Sequence, residues 1–165
     1  MQASAPRVSI GLRVNGQLVS SNDARFPIYS VTKTLTSICV LRLAEEGDVS
    51  LDDPISRLVP DLRLPETITL EHLLRHTSGL HDYGDLARYH ADVRAKPRTP
   101  WTRAEFLDAV LSRGLLFSPG HGWAYSNVGY TLLIDAIERV TRRSFADAIA
   151  RYVVEPLKTA AEREP

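Results

Sequence analysis

The chain has 165 residues, 44% hydrophobic and 24% charged, and its 20 Lys+Arg balance its 20 Asp+Glu. That length fits one domain, or one domain with part of another, and the apolar content suffices for a packed core, which excludes disorder and fibrous repeats. No basic excess exists to neutralise phosphates, so nucleic acid is not an expected partner, and no apolar run approaches the roughly 20 residues of a membrane span.

The single cysteine, Cys39, excludes an internal disulfide and a cysteine-based zinc site. Residues 1–7 hold no apolar stretch of the signal-peptide kind. The expectation is a cytoplasmic protein if Met1 is the native start, and an exported one if the N-terminus has been shortened.

Residues 8–14 alternate apolar and polar side chains, which predicts a strand. Asn15-Gly16 suits a type I′ turn, and Gln17–Ser20 returns as a second strand. Residues 25–28 are short and extended, with Pro27 forbidding a helix there. From 30 to 46, Val31, Leu35, Ile38, Cys39 and Leu43 recur at helical spacing, with Ser30 at or near the N-cap and Gly47 as the stop. Asp52-Asp53-Pro54 predicts two capping positions and the first residue of a short helix. Thr69 is expected to cap a helix over 70–75, which Thr77-Ser78-Gly79 closes. Residues 80–100 show little periodicity and carry Pro97 and Pro100, so a long loop is expected. Thr102-x-x-Glu105 is a capping box for a helix to Arg113. Ser118-Pro119-Gly120 is a turn. Residues 127–140 place Val128, Leu132, Leu133, Ala136, Ile137 and Val140 on one side of a helix, and Ser144 caps a last helix to Val154. A lone hairpin followed by helices leaves two sheet edges to be covered by helices or completed by further strands.

Ser30-Val31-Thr32-Lys33 is an S-x-x-K at the start of a predicted helix. Three residues is nearly one turn, so hydroxyl and amine share a face. A serine hydroxyl becomes a nucleophile when a base takes its proton, and a neutral lysine amine can be that base. The Ser30 N–H at the same terminus can point at a developing oxyanion. Chance alone supplies roughly 0.24 such pairs in a chain of this composition, so the motif by itself also fits a plain cap and a solvated lysine. Tyr125-Ser126-Asn127 precedes another helix. Its phenol can relay a proton, and its amide can hold a substrate carbonyl or orient the lysine. Read plainly, the same residues are a packed tyrosine and an asparagine cap.

Phe26-Pro27-Ile28-Tyr29-Ser30-Val31-Thr32-Lys33-Thr34-Leu35-Thr36 resembles the active-site segment of the serine β-lactamase and penicillin-binding protein superfamily. The nearest group is the class C β-lactamase-related branch, with its D-alanyl-D-alanine carboxypeptidases and esterases. That branch carries Y-x-N where class A enzymes carry S-D-N. Leu51-Asp52-Asp53-Pro54-Ile55, Leu73-Leu74-Arg75-His76-Thr77-Ser78-Gly79-Leu80 and Phe117-Ser118-Pro119-Gly120 are similar to further segments of it. So are Tyr125-Ser126-Asn127-Val128-Gly129-Tyr130 and Glu155-Pro156-Leu157, all in family order across nearly the whole chain.

The resemblance implies an α/β (α+β) fold of the β-lactamase/transpeptidase-like type, incomplete here. Residues 1–47 would supply the N-terminal part of the sheet domain with the nucleophile helix, and 48–165 a mainly helical region of the same domain. Ser30 would attack an amide, β-lactam or ester carbonyl, with Lys33 as general base. Tyr125 would pass a proton to the leaving group or share the base role, and Asn127 would bind the substrate's amide and fix the lysine. Water would then release the acyl group. No metal or organic cofactor is implied, and the partner would be a small-molecule β-lactam, D-alanyl peptide or ester. Oligomeric state stays open.

One departure stands out. The family's third motif, K-T-G or H-x-G, supports the second oxyanion donor, yet no Lys or His followed by x-Gly occurs after Asn127. Complete members are about twice as long, so the chain is expected to be part of a longer enzyme or a truncated product. Losing one oxyanion donor costs about 10²–10³ in rate. The expectation is a weak catalyst on its own, and the alternative is an inactive fragment or pseudoenzyme acting at most as a binding module.

Other residues invite chemistry and do not support it. His72 and His76 stand at i, i+4 as in zinc proteases, but the glutamate of H-E-x-x-H is absent. His81 and His121 read as loop residues, and Cys39 as packing. Tyr83, Tyr89, Trp101 and Trp123 could line a cleft but fit core packing or loop anchoring better.

Overall fold

A computed structural model describes residues 12–20 and 27–157. The chain divides into two compact units, Met1–Val31 and Thr32–Pro165.

In the smaller unit, β1 (Leu12–Val14) and β2 (Gln17–Ser20) pair antiparallel, with Val14 opposite Gln17, Arg13 opposite Leu18, and an irregularity between Leu12 and Arg13. Asn15 and Gly16 take φ values of 51° and 80°, the left-handed pair that a type I′ turn needs. Residues 8–11 of the expected strand, and 25–26 of the expected extended segment, lie outside the described residues. A 3₁₀ turn, Tyr29–Val31, closes this unit, with the Val31 N–H donating to the Ile28 carbonyl at 3.1 Å. The helix expected from Ser30 therefore starts as a tight turn. Tyr29 sits at φ 46°, a left-handed conformation uncommon for a bulky residue, so regular α winding cannot run through it.

The larger unit is helical. Helix α1 (Thr32–Glu45) buries Thr36, Cys39, Val40 and Leu43. Val31 and Ile38, counted on the apolar stripe from spacing, are exposed instead. Val31 lies in the 3₁₀ turn ahead of α1, and the buried stripe of the helix runs through Thr36, Cys39, Val40 and Leu43, one side of Ile38. Gly47, at φ 80°, ends α1 in a Schellman motif: its N–H donates to Ala44 O at 3.2 Å and that of Asp48 to Leu43 O at 2.9 Å. Helix α2 (Ile55–Leu58) has Pro54 at its N-cap rather than inside it, because Pro54 takes extended ψ and pairs with Thr69 in an isolated bridge. Helix α3 (Leu70–Leu74) carries the Thr69 cap, completed by the His72 Nδ1 accepting the Thr69 N–H.

The segment 80–100 is not a loop throughout. A 3₁₀ turn, Tyr83–Asp85, leads into helix α4 (Ala87–Ala95), which buries no residue and so shows no apolar period. Rings hold it: Tyr89 lies 4.9 Å from Tyr83 and 5.3 Å from Trp101, and the Trp101 indole donates to Asp92 at 3.0 Å. Helix α5 (Arg103–Leu111) shows the expected capping box but stops two residues short of Arg113.

Helix α6 (Asn127–Thr141) is the centre of the unit, contacting α1, α2, α3, α5 and α7. Ser126 caps it, its Oγ accepting the Gly129 N–H at 3.1 Å. Leu132 and Leu133 are fully buried, each worth about 1.5–3 kcal/mol of transfer free energy. Arg103 on α5 forks onto the carboxylate of the buried Asp135, tying α5 to α6. Helix α7 (Phe145–Ile149) continues as a π-helical turn, Ala150–Val154. Among the described residues no helix is long and apolar enough to cross a membrane.

Candidate active site

Three of the four residues singled out by motif come together in the larger unit. Lys33 stands in the first turn of α1 and Asn127 opens α6, and these two helices pack against each other. The Lys33 Nζ donates to Asn127 Oδ1 at 2.7 Å. The Tyr125 hydroxyl points at the same oxygen from 3.4 Å, and the amine lies 5.0 Å from the Tyr125 ring centroid. It lies 5.5 Å from the ring of Tyr130, one turn into α6. Ser30 belongs to the smaller unit, exposed in the 3₁₀ turn, three residues before Lys33 in the chain.

The segment 76–82 returns Tyr125 and Asn127 to this place. The Gly120 N–H donates to Thr77 O at 2.8 Å, that of Leu116 to Gly79 O at 2.8 Å, and that of Ala124 to His76 O at 3.0 Å. His76, itself left-handed at φ 58°, accepts the Ser126 N–H at Nδ1 from 3.2 Å. Its ring lies 4.7 Å from that of Tyr125 and 5.1 Å from that of Tyr130. Burial, then the charge of Lys33, hold the His76 imidazole below its ordinary pKa, while Asp82 pulls the other way. Tyr130 donates its hydroxyl proton to Leu74 O at 3.0 Å, so Ser37 is the donor in its 3.0 Å contact with the Tyr130 oxygen.

Asp82, only 8% exposed, was not singled out by motif. Its Oδ1 accepts the Asn127 backbone N–H at 2.8 Å, and its Oδ2 accepts the Asn127 Nδ2 at 3.0 Å. Oδ2 also accepts the Gly84 N–H at 3.3 Å. The Asp-x-Gly spacing signals that local turn, but a partner 45 positions away leaves no local trace. Beside Lys33 and Asn127 a cavity of about 190 Å³ is lined by Thr32, Thr36, Tyr83, Phe106, Tyr130, Thr131 and Ile134. Burial, then Tyr89, raise the pKa of the Tyr83 phenol in its wall. Tyr83 thus lines this cavity while also packing on Phe106 at 4.2 Å. Trp123 is exposed and stands edge-on to His76 at 6.1 Å.

His72 and His76 are both engaged with backbone N–H groups, so the i, i+4 spacing serves caps and turns. Among the described residues no group of three or more His, Cys, Asp or Glu could hold a metal ion.

Residues 2–161 match the family model described as Beta-lactamase. The chain is 32% identical over 136 residues to penicillin-binding protein 4* of Bacillus subtilis (strain 168), a match covering 81% of this chain and 29% of that protein. It is 32% identical over 158 residues to esterase EstB of Burkholderia gladioli, covering 82% of this chain and 37% of the esterase. A solved D-stereospecific amidohydrolase from Streptomyces sp. superposes with a TM-score of 0.73 at 30% identity, over 81% of this chain and 42% of that one. The chain therefore spans about a third of the length of these curated relatives and carries part of the β-lactamase/transpeptidase-type fold. Matched almost end to end, it belongs to the β-lactamase family within the serine β-lactamase/transpeptidase superfamily.

Proposed function

We propose that the chain carries the acylating half of a serine hydrolase, acting on a carbonyl held in an amide, β-lactam or ester. In this reading the Ser30 Oγ attacks the carbonyl carbon and its proton passes to the Lys33 amine. The bond to the leaving nitrogen or oxygen breaks as Tyr125 delivers a proton to it, and water later cleaves the serine ester. Asn127 holds the lysine and offers its amide edge to the substrate. The observation that carries the reading is the Lys33–Asn127 hydrogen bond of 2.7 Å with the Tyr125 hydroxyl on the same oxygen. An amine, a phenol and a side-chain amide thus converge, the groups that this reading casts as base, proton relay and orienting amide. The relatives' names, a penicillin-binding protein, an esterase and an amidohydrolase, support the reaction class and leave the acyl donor open.

A second reading, an inactive module that only binds ligand, is favoured by one observation: the cavity beside Lys33 and Asn127 is lined by residues that all belong to the larger unit. A fluorophosphonate probe separates the two. Covalent labelling mapped to Ser30, and lost in Ser30→Ala, supports the hydrolase. A folded chain that never labels supports the binding module.

A further inference from the structure

We propose that Asp82 is a positioning residue that fixes which end of the Asn127 amide faces Lys33. A carboxylate only accepts hydrogen bonds, whereas the Lys33 amine donates one to Asn127. Asn127 lies between the two. Asp82 Oδ2 takes the amide's Nδ2 at 3.0 Å, which turns Oδ1 toward the Lys33 Nζ at 2.7 Å. The opposite rotamer would set Oδ1 against the carboxylate, acceptor to acceptor. That contact would be repulsive in a partly buried place, so the Asp82 carboxylate sets the orientation.

The clamp is two-pronged. Asp82 Oδ1 also holds the Asn127 backbone N–H at 2.8 Å, so the carboxylate fixes the first residue of α6 and its side chain together. The Gly84 N–H on Oδ2 and the burial of Asp82 restrict the carboxylate in turn. Asn127 thus reaches Lys33 with its rotamer already set, so the amine's direction needs no ordering when substrate arrives. The geometric assignment stands by itself, while its consequence for acyl transfer rests on the function proposed above.

Asp82→Asn tests it. The amide that replaces the carboxylate can accept from only one of the two Asn127 donors and presents its own N–H groups to the other, so Asn127 is free to turn. Fluorophosphonate labelling of the full chain is measured against probe concentration. The expected result is a limiting labelling rate about tenfold lower, with the half-saturating probe concentration within twofold of wild type. An unchanged limiting rate, or a change confined to half-saturation, overturns the proposal. In the isotope-labelled wild-type chain, NMR coupling across the hydrogen bond from Asn127 Nδ2 to the Asp82 carboxyl carbon gives a second reading that needs no variant. Its presence supports the assignment and its absence overturns it, even if Asp82→Asn does not fold. A wild type that shows the coupling but never labels refutes the proposed function and leaves the clamp standing.

Discussion

Lys33 and Asn127 meet through a 2.7 Å hydrogen bond across 94 positions of chain. The bond joins the first turns of α1 and α6, two helices that share the core through Cys39, Val40 and Leu43 on one side and Leu132, Leu133 and Ala136 on the other. Core packing thus sets where the helix starts lie, and the helix starts set where the amine and the amide lie. Asn127→Ala should therefore act in two ways. Asp82 keeps the backbone N–H but loses a side-chain donor, costing about 1–3 kcal/mol of stability in urea unfolding. Loss of the Asn127 oxygen from the amine should slow Ser30 labelling by up to about 10².

His76 makes stability depend on pH. Burial, then the Lys33 charge, lower its folded pKa, so the folded state binds fewer protons than the unfolded one between the folded value and the unperturbed value near 6.5. Its contribution is complete above the unfolded pKa and is lost as pH falls toward the folded one. The urea midpoint of wild type should drop from pH 7.5 to pH 5.5 more than that of His76→Asn. Asn tolerates the φ of 58° and does not titrate in this range. Equal drops in the two proteins would remove His76 from the account.

Cys39 should be chemically silent in the folded chain. It is fully buried on α1, and desolvation raises its thiol from 9.0 to about 11. Two pKa units alone cut the thiolate population about a hundredfold, before access is counted. Reaction with a disulfide reagent at pH 8 should be at least about a hundredfold slower in buffer than in urea. Comparable rates would mean that α1 opens readily.

Gly79 is required by its surroundings and not only by its φ of 79°. A Cβ there would run into the carbonyl oxygen of Phe117, part of the backbone that returns Tyr125 to the site. Gly79→Ala should cost about 3–5 kcal/mol. Gly47, at φ 80° with open space around it, should lose only about 1 kcal/mol on the same change. Similar melting temperatures for the two variants would contradict the contact.

Short-range chemistry made much of this fold legible in the sequence. The Thr69 and Thr102 caps, the Asn15-Gly16 turn and the period of α6 each depend on residues within one or two turns, and each appears as expected. Helix α4 was hidden because rings hold it instead of an apolar stripe, and Pro97 and Pro100 follow it rather than interrupt it. Val31 dropped from the stripe of α1 because it lies in the 3₁₀ turn that follows a left-handed Tyr29, which periodicity does not reveal. At the site, Lys33, Tyr125 and Asn127 were recognisable as motif residues. Asp82 and His76 act through partners 45 and 50 positions away, and no spacing rule reaches that far.

The most direct test of the acyl-transfer account is a stopped-flow burst with a p-nitrophenyl ester on the purified chain. The account predicts one p-nitrophenolate per chain, followed by slow turnover. It predicts no burst in Ser30→Ala and a burst slowed by about 10²–10⁴ in Lys33→Ala. The absence of a burst in folded wild type, or a burst that survives Ser30→Ala, would contradict it.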